Sequence, residues 1–97
     1  LGFEWDKGNI EKNLKKHKIT NKEAEEIFFN NPLKIFADIK HSQIEKRFEA
    51  FGITNDGRRL TVIFTIRDSR IRVISARDQN KKERREYEKK IKTNPSV

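Results

Sequence analysis

Two tight-turn signals cut residues 45–77 into three runs of alternating apolar and polar side chains, and this meander commits the chain to a sheet. Asn55-Asp56-Gly57 supplies residues that tolerate the positive φ of a hairpin, and Arg67-Asp68-Ser69-Arg70 marks a second reversal. Strands are expected over about 45–54, 59–66 and 70–77. With a two-residue second loop, residues opposite one another share a face. Leu60, Val62, Phe64 and Ile66 then join Ile71, Val73 and Ser75 in the core, while Thr61, Ile63 and Thr65 sit beside Arg72 and Ile74 on a half-polar face. In the first hairpin a two-residue loop would bury Arg47 and Glu49, and an unpaired buried charge costs about 3–5 kcal/mol. A three-residue loop buries Phe48 and Ala50 instead. It leaves Glu45, Arg47, Glu49 and Arg72 on the outer face.

The remaining elements frame this meander. Phe3-Glu4-Trp5 reads as an edge strand and Asp6 as the N-cap of a helix to about residue 16, with Ile10, Leu14 and His17 on one side. Thr20 and Glu23 form a capping box for a second helix carrying Ala24, Ile27 and Phe28, which Asn30-Asn31-Pro32 terminates. A strand over 33–39 and a polar loop over 38–42 follow. Asn80 and Glu83 cap a final helix to about residue 92, whose apolar stripe is Tyr87 and Ile91; residues 93–97 are a tail. A chain of 97 residues suits a single domain, here of α+β class.

Charge is placed unevenly. Residues 58–92 hold thirteen Lys and Arg against five acids and carry the whole formal charge of +8, whereas residues 1–57 balance. A polyanionic partner is expected at these elements. Absence of cysteine excludes disulfides and thiolate metal sites and fits the cytoplasm. Two histidines 24 positions apart match no metal-ligand spacing. No phosphate-binding glycine loop, dinucleotide fingerprint or nucleophile elbow occurs, and no apolar run approaches the roughly 20 residues of a membrane span. Neither cofactor nor membrane is expected.

What remains is a basic sheet face bearing carboxylates, beside a basic helix. Metal-free RNA cleavage asks for little more, because the 2′-hydroxyl is an internal nucleophile. A base takes its proton, cations stabilise charge on phosphorus, and the departing 5′ oxygen is protonated. Arg72 and Arg77 are the candidates for phosphate, Glu49 and His41 for proton transfer, and the Tyr87 hydroxyl for contact with a phosphate or the scissile base. Arg47, Arg67, Arg70, Lys81, Arg85 and Lys89 are the candidate RNA contacts. Each has a structural alternative: Arg72 paired with Glu49, Arg77 capping loop carbonyls, and Glu45, Arg47 and Glu49 as a solvated ion-pair row. Glu86 with Lys90 and Glu88 with Lys92 are i, i+4 pairs that stabilise an exposed helix, whereas Lys81, Arg85 and Lys89 align without acids. Non-catalytic RNA binding is the competing function.

Phe3-Glu4-Trp5-Asp6, Asn13, Lys16-His17, the Thr20 helix with Ala24 and Phe28, His41-Ser42, Glu45-x-Arg47, Gly52, Ile71-Arg72-Val73-Ile74-Ser75-Ala76-Arg77, Glu83 and Tyr87 together resemble the BrnT family. The resemblance spans residues 3 to about 90. It implies a RelE-like fold with an antiparallel sheet, two N-terminal helices and a C-terminal basic helix. It also implies a toxin of a bacterial type II toxin-antitoxin system, whose ribonuclease activity arrests translation. The partner it implies is a BrnA-like ribbon-helix-helix antitoxin in a heterotetramer, with operator DNA bound only through that complex, and a main role as the antitoxin's partner in operon repression is a further alternative to catalysis. Arg72, Arg77 and Tyr87 correspond to the arginines and tyrosine that related folds use. Many family members carry Lys where this chain has Asn9. Substitution of Arg72 or Arg77 by Ala is expected to lower toxicity and leave the fold intact.

Overall fold

The computed structural model describes residues 2–41 and 45–93, with side chains except at 41 and 90–93. In chain order the elements are β1 (Gly2–Trp5), α1 (Lys7–His17), α2 (Asn21–Glu26) continued by a 3-10 turn (Ile27–Phe29), and β2 (Lys34–Ala37). A 3-10 turn (Ile39–His41) precedes β3 (Phe48–Ile53), β4 (Arg59–Arg67), β5 (Arg70–Asp78) and α3 (Lys81–Thr93). The five strands form one sheet in the order β1-β5-β4-β3-β2. The expected antiparallel pairing holds from β2 through β5, while β1 adds to the edge of β5 in parallel, Phe3 opposite Ile71 and Trp5 opposite Val73. The result is a mixed sheet in an α+β fold.

Local chemistry explains these boundaries. The Asp6 carboxylate accepts from the Gly8 amide at 2.8 Å, starting α1, and the Thr20–Glu23 capping box starts α2. Beyond Trp5 the edge of β5 would be unpaired, and α1 covers it with asparagines. Asn9 Nδ2 donates to the Val73 carbonyl at 3.4 Å, and Asn13 Oδ1 accepts from the Ala76 amide at 3.2 Å. The buried side chain of α1 is therefore Asn13, and Leu14, expected on the buried face, is 51% exposed. An apolar pattern overlooks a helix that docks through hydrogen bonds.

The first hairpin has its three-residue loop. Thr54 N–H donates to the Arg58 carbonyl at 2.8 Å, and Gly57 takes φ 87°. Phe48, Ala50 and Gly52 accordingly face Phe64, Val62 and Leu60 across β3 and β4. The second hairpin turns at Asp68 and Ser69, both at positive φ, as a two-residue type I′ loop requires. Its register departs from expectation in one place. A bulge at Ile63/Phe64 leaves Phe64 opposite Val73 but sets Val62 opposite Ala76 and Thr61 opposite Arg77. Ala76 replaces Ser75 in the core, and Arg77 is carried to the outer face. Ile66, expected in the core, lies near the hairpin end and is 55% exposed.

On the inner face Ile19, Ala24 and Ile27 pack on Ala50, Leu60, Val62, Phe64, Val73 and Ala76. Gly52 permits this closeness, since a Cβ there would stand 2.6 Å from Ile27 Cβ. α3 lies across one end of the outer face. Tyr87 anchors it, fully buried, its hydroxyl donating to the Pro32 carbonyl at 2.6 Å. Arg59–Glu88 and Lys34–Glu86 ion pairs flank that anchor.

Candidate active site

Strand pairing sorts the outer face into rows of neighbours. One row runs Phe36, Glu49, Ile63, Ser75; the next, toward α3, runs Lys34, Phe51, Thr61, Arg77. Cross-strand neighbours on one face approach within about 4.5–5.5 Å at Cβ, so the bulge is what delivers Arg77 to Thr61 and the carboxylates.

Arg77 grips Glu83, at the start of α3, with both terminal nitrogens: Nη1 to Oε1 at 2.6 Å and Nη2 to Oε2 at 2.8 Å. Thr61 Oγ1 donates to the same Oε1 at 3.0 Å. Glu83 also accepts from the Asn80 amide at 2.9 Å, while Asn80 Oδ1 accepts from the Glu83 amide at 2.8 Å. The helix cap and the sheet arginine thus share one carboxylate. Burial works to raise the Glu83 pKa, but hydrogen bonds from Arg77, Asn80 and Thr61 outweigh it and hold the group below the ordinary value. Glu83 stays ionised.

Glu49 is its counterpart. Burial and the adjacent negative charge of Glu83 raise its pKa, only partly opposed by Arg77, and its carboxyl lies within hydrogen-bonding reach of Glu83. Two neighbouring carboxyls pushed in opposite directions, with an arginine bound to one of them, are the arrangement that separates a permanent anion from a group able to take up a proton. Beside them an open groove of about 390 Å³ runs between Lys34, Phe36 and Phe51 on the sheet and Lys82 and Glu86 on α3. Among the described residues no group of three His, Asp or Glu gathers as a metal cage.

A sequence profile for the ribonuclease toxin BrnT of type II toxin-antitoxin systems matches residues 5–83. The chain belongs to the BrnT family. No curated protein matches it. The match takes in Glu49, Thr61, Arg72, Arg77 and Glu83, and it ends in the first turn of α3, short of Arg85, Tyr87 and Lys89. No helix among the described residues is long and apolar enough to cross a membrane.

Within this BrnT-family fold the residues singled out from the sequence are not all gathered. Glu49 and Arg77 come together. Arg72 lies opposite Thr65, beyond the Glu49 row, and its ion pair is with Asp6 at 3.6 Å, not with Glu49. Arg67 and Arg70 face each other at the hairpin, roughly 24 Å along β5 from Arg77 at the usual rise per residue. Arg67 pairs with Glu45 at 3.1 Å. Arg47 precedes β3 and its carbonyl accepts from the Asp38 amide. The Tyr87 hydroxyl is occupied by Pro32, which removes it from contact with phosphate. Lys81, Arg85 and Lys89 all lie on the exposed side of α3, but the row is not free of acids as expected, since Lys89 pairs with Glu86 one turn back at 3.9 Å. His41 ends the turn after β2, and its side chain lies outside the described residues, as do Ile91, the Lys90 and Lys92 partners, and the tail from 94.

Sequence reasoning treated Glu83 as a cap alone, and passed over Phe36 and the structural duty of Arg58. Arg58 holds Asp78 at 2.7 and 3.0 Å and donates to the carbonyls of His17 and Lys18, both at 2.9 Å. Part of the basic block is therefore scaffold. Asn80-x-x-Glu83 was a visible signal for Glu83; a bulge within an alternating strand leaves none.

Proposed function

We propose that this BrnT-family chain is a metal-independent endoribonuclease that cleaves mRNA through its 2′-hydroxyl. In this reading it arrests translation in the cytoplasm and is neutralised by a BrnA-like ribbon-helix-helix antitoxin, with operator DNA engaged only through the complex. The observation that carries it is the Glu49–Arg77–Glu83 cluster at an open groove: a carboxyl with a raised pKa beside an arginine fixed by a second carboxylate. Glu49 takes the 2′-hydroxyl proton as that oxygen attacks phosphorus. Arg77, 35% exposed at its side chain, offers positive charge to the phosphorane, and Arg72 and the α3 ridge hold flanking phosphates. The bond to the 5′ oxygen breaks, that oxygen takes a proton from water, and a 2′,3′-cyclic phosphate remains.

The test is incubation of antitoxin-free protein with single-stranded RNA in EDTA. Fragments ending in cyclic phosphate are expected. Intact RNA at large protein excess overturns the reading.

A further inference from the structure

The groove beside Glu49 contains an aromatic ring that neither the core nor the helix anchor uses. Phe36 lies on edge strand β2, directly opposite Glu49 in the β2–β3 register and on the same face. Its ring is fixed from one side by Phe51, edge to face at 5.1 Å and 85°. It nevertheless remains 37% exposed, while Phe51 is buried. Lys34 Nζ stands 5.9 Å from the ring centroid and is tethered to Glu86 across the groove at 3.6 Å. With Phe51 against it and the flexible Lys34 side chain over it, a held ring that is still 37% exposed is suited to stacking, because little of its own freedom remains to be lost when a partner arrives.

The charge around it selects the partner. Glu49, Glu83 and Glu86 face Lys34 and Lys82 here, so the groove interior offers a phosphate no net attraction. A neutral, flat, aromatic group is favoured inside, with phosphates left to Arg77 and the exposed basic row of α3. Building on the ribonuclease reading above, we propose that Phe36 is the stacking platform for the nucleobase of the nucleotide whose 2′-hydroxyl faces Glu49. The cross-strand pairing supplies the register: base on Phe36, ribose over the neighbouring carboxyl. Every base has a π-face, so this contact positions the nucleotide without reading its identity. Its stacking is worth about 1–3 kcal/mol, equivalent to roughly a 5- to 150-fold change in affinity.

The test begins by mapping the cleavage position with wild-type protein. Binding is then measured to a single-stranded RNA carrying one 2′-deoxy nucleotide there, which blocks the nucleophile, and to the same strand with that base removed. Phe36→Leu, which keeps apolar bulk for folding but has no π-face, is expected to weaken binding 5- to 150-fold, and Phe36→Trp to retain it. Removing the base is expected to weaken wild-type binding comparably and to add nothing to the Phe36→Leu loss. Unchanged binding by Phe36→Leu, or losses that simply multiply, overturns the platform while leaving the nuclease standing. Loss of antitoxin binding by Phe36→Leu with RNA affinity intact also overturns it, in favour of a protein dock. No cleavage by wild-type protein overturns the functional reading itself.

Discussion

Arg77 and Glu83 are joined by two parallel hydrogen bonds, 2.6 and 2.8 Å, across the junction between β5 and α3. The pair is at once a structural clasp and half of the candidate site, since the same carboxylate caps α3 and sets the charge felt by Glu49.

Arg77→Ala is therefore expected to cost stability as well as activity, correcting the sequence expectation of an intact fold. It leaves Glu83, 11% exposed at its side chain, without its cation, at a cost of about 1–3 kcal/mol. Urea unfolding measures this. In a cycle with Glu83→Gln, the two losses should fall well short of additive, because each removes the other's partner. Additive losses would show that the clasp contributes nothing.

Glu49→Gln separates chemistry from folding. A general base contributes about 10²- to 10⁴-fold, so cleavage should fall by that order. Stability at neutral pH should hold or rise, because the fold disfavours this carboxylate. The folded-state pKa is raised, so whatever stability the protonated form contributes is present below the ordinary value and lost as pH rises through the folded one. The wild-type pH–rate profile should accordingly rise through an inflection above the ordinary carboxyl value of 4.5. An inflection below that value, or full activity in Glu49→Gln, removes Glu49 from the reaction.

The contrast between these residues shows what the sequence carried. Turn chemistry fixed both loops, so the faces of β3 and β4 followed from parity, and the capping boxes located α2 and α3. Parity failed at the β5 bulge, where one extra residue reversed the faces of Ser75, Ala76 and Arg77 without any compositional sign. It failed for α1 because Asn9 and Asn13 dock by hydrogen bonds to a strand edge. The basic block was visible as charge, but only long-range pairing separates Arg58, which ties the first hairpin to the end of α1, to Glu23 of α2 at 3.5 Å and to the end of β5, from cations facing solvent.

Arg58→Ala should destabilise by about 1–3 kcal/mol, through lost hydrogen bonds to Asp78 and to the His17 and Lys18 carbonyls. Asp78 adds a pH signature. Hydrogen bonding to Arg58 depresses its pKa below 3.8, so its contribution is present above that value and lost as pH falls through the lower, folded one. The gap between wild type and Arg58→Ala should narrow as pH drops below about 3.8. A gap independent of pH would assign the whole effect to the carbonyl contacts.

The exposed row on α3 makes a prediction that geometry alone cannot replace. Lys81 and Arg85 stand at i, i+4, both exposed, on the flank of the helix next to the Lys82 and Glu86 side that lines the groove. If each neutralises one phosphate of a single strand, log K against log salt should have a slope shallower by roughly 0.7 per residue removed. The Lys81→Ala/Arg85→Ala double variant should thus flatten the slope by about 1.4. Phe36→Leu, which removes stacking and no charge, should lower affinity at every salt concentration and leave the slope where it was. A double variant with the wild-type slope would move RNA off this helix, and a changed slope in Phe36→Leu would mean that the ring holds phosphate contacts in place.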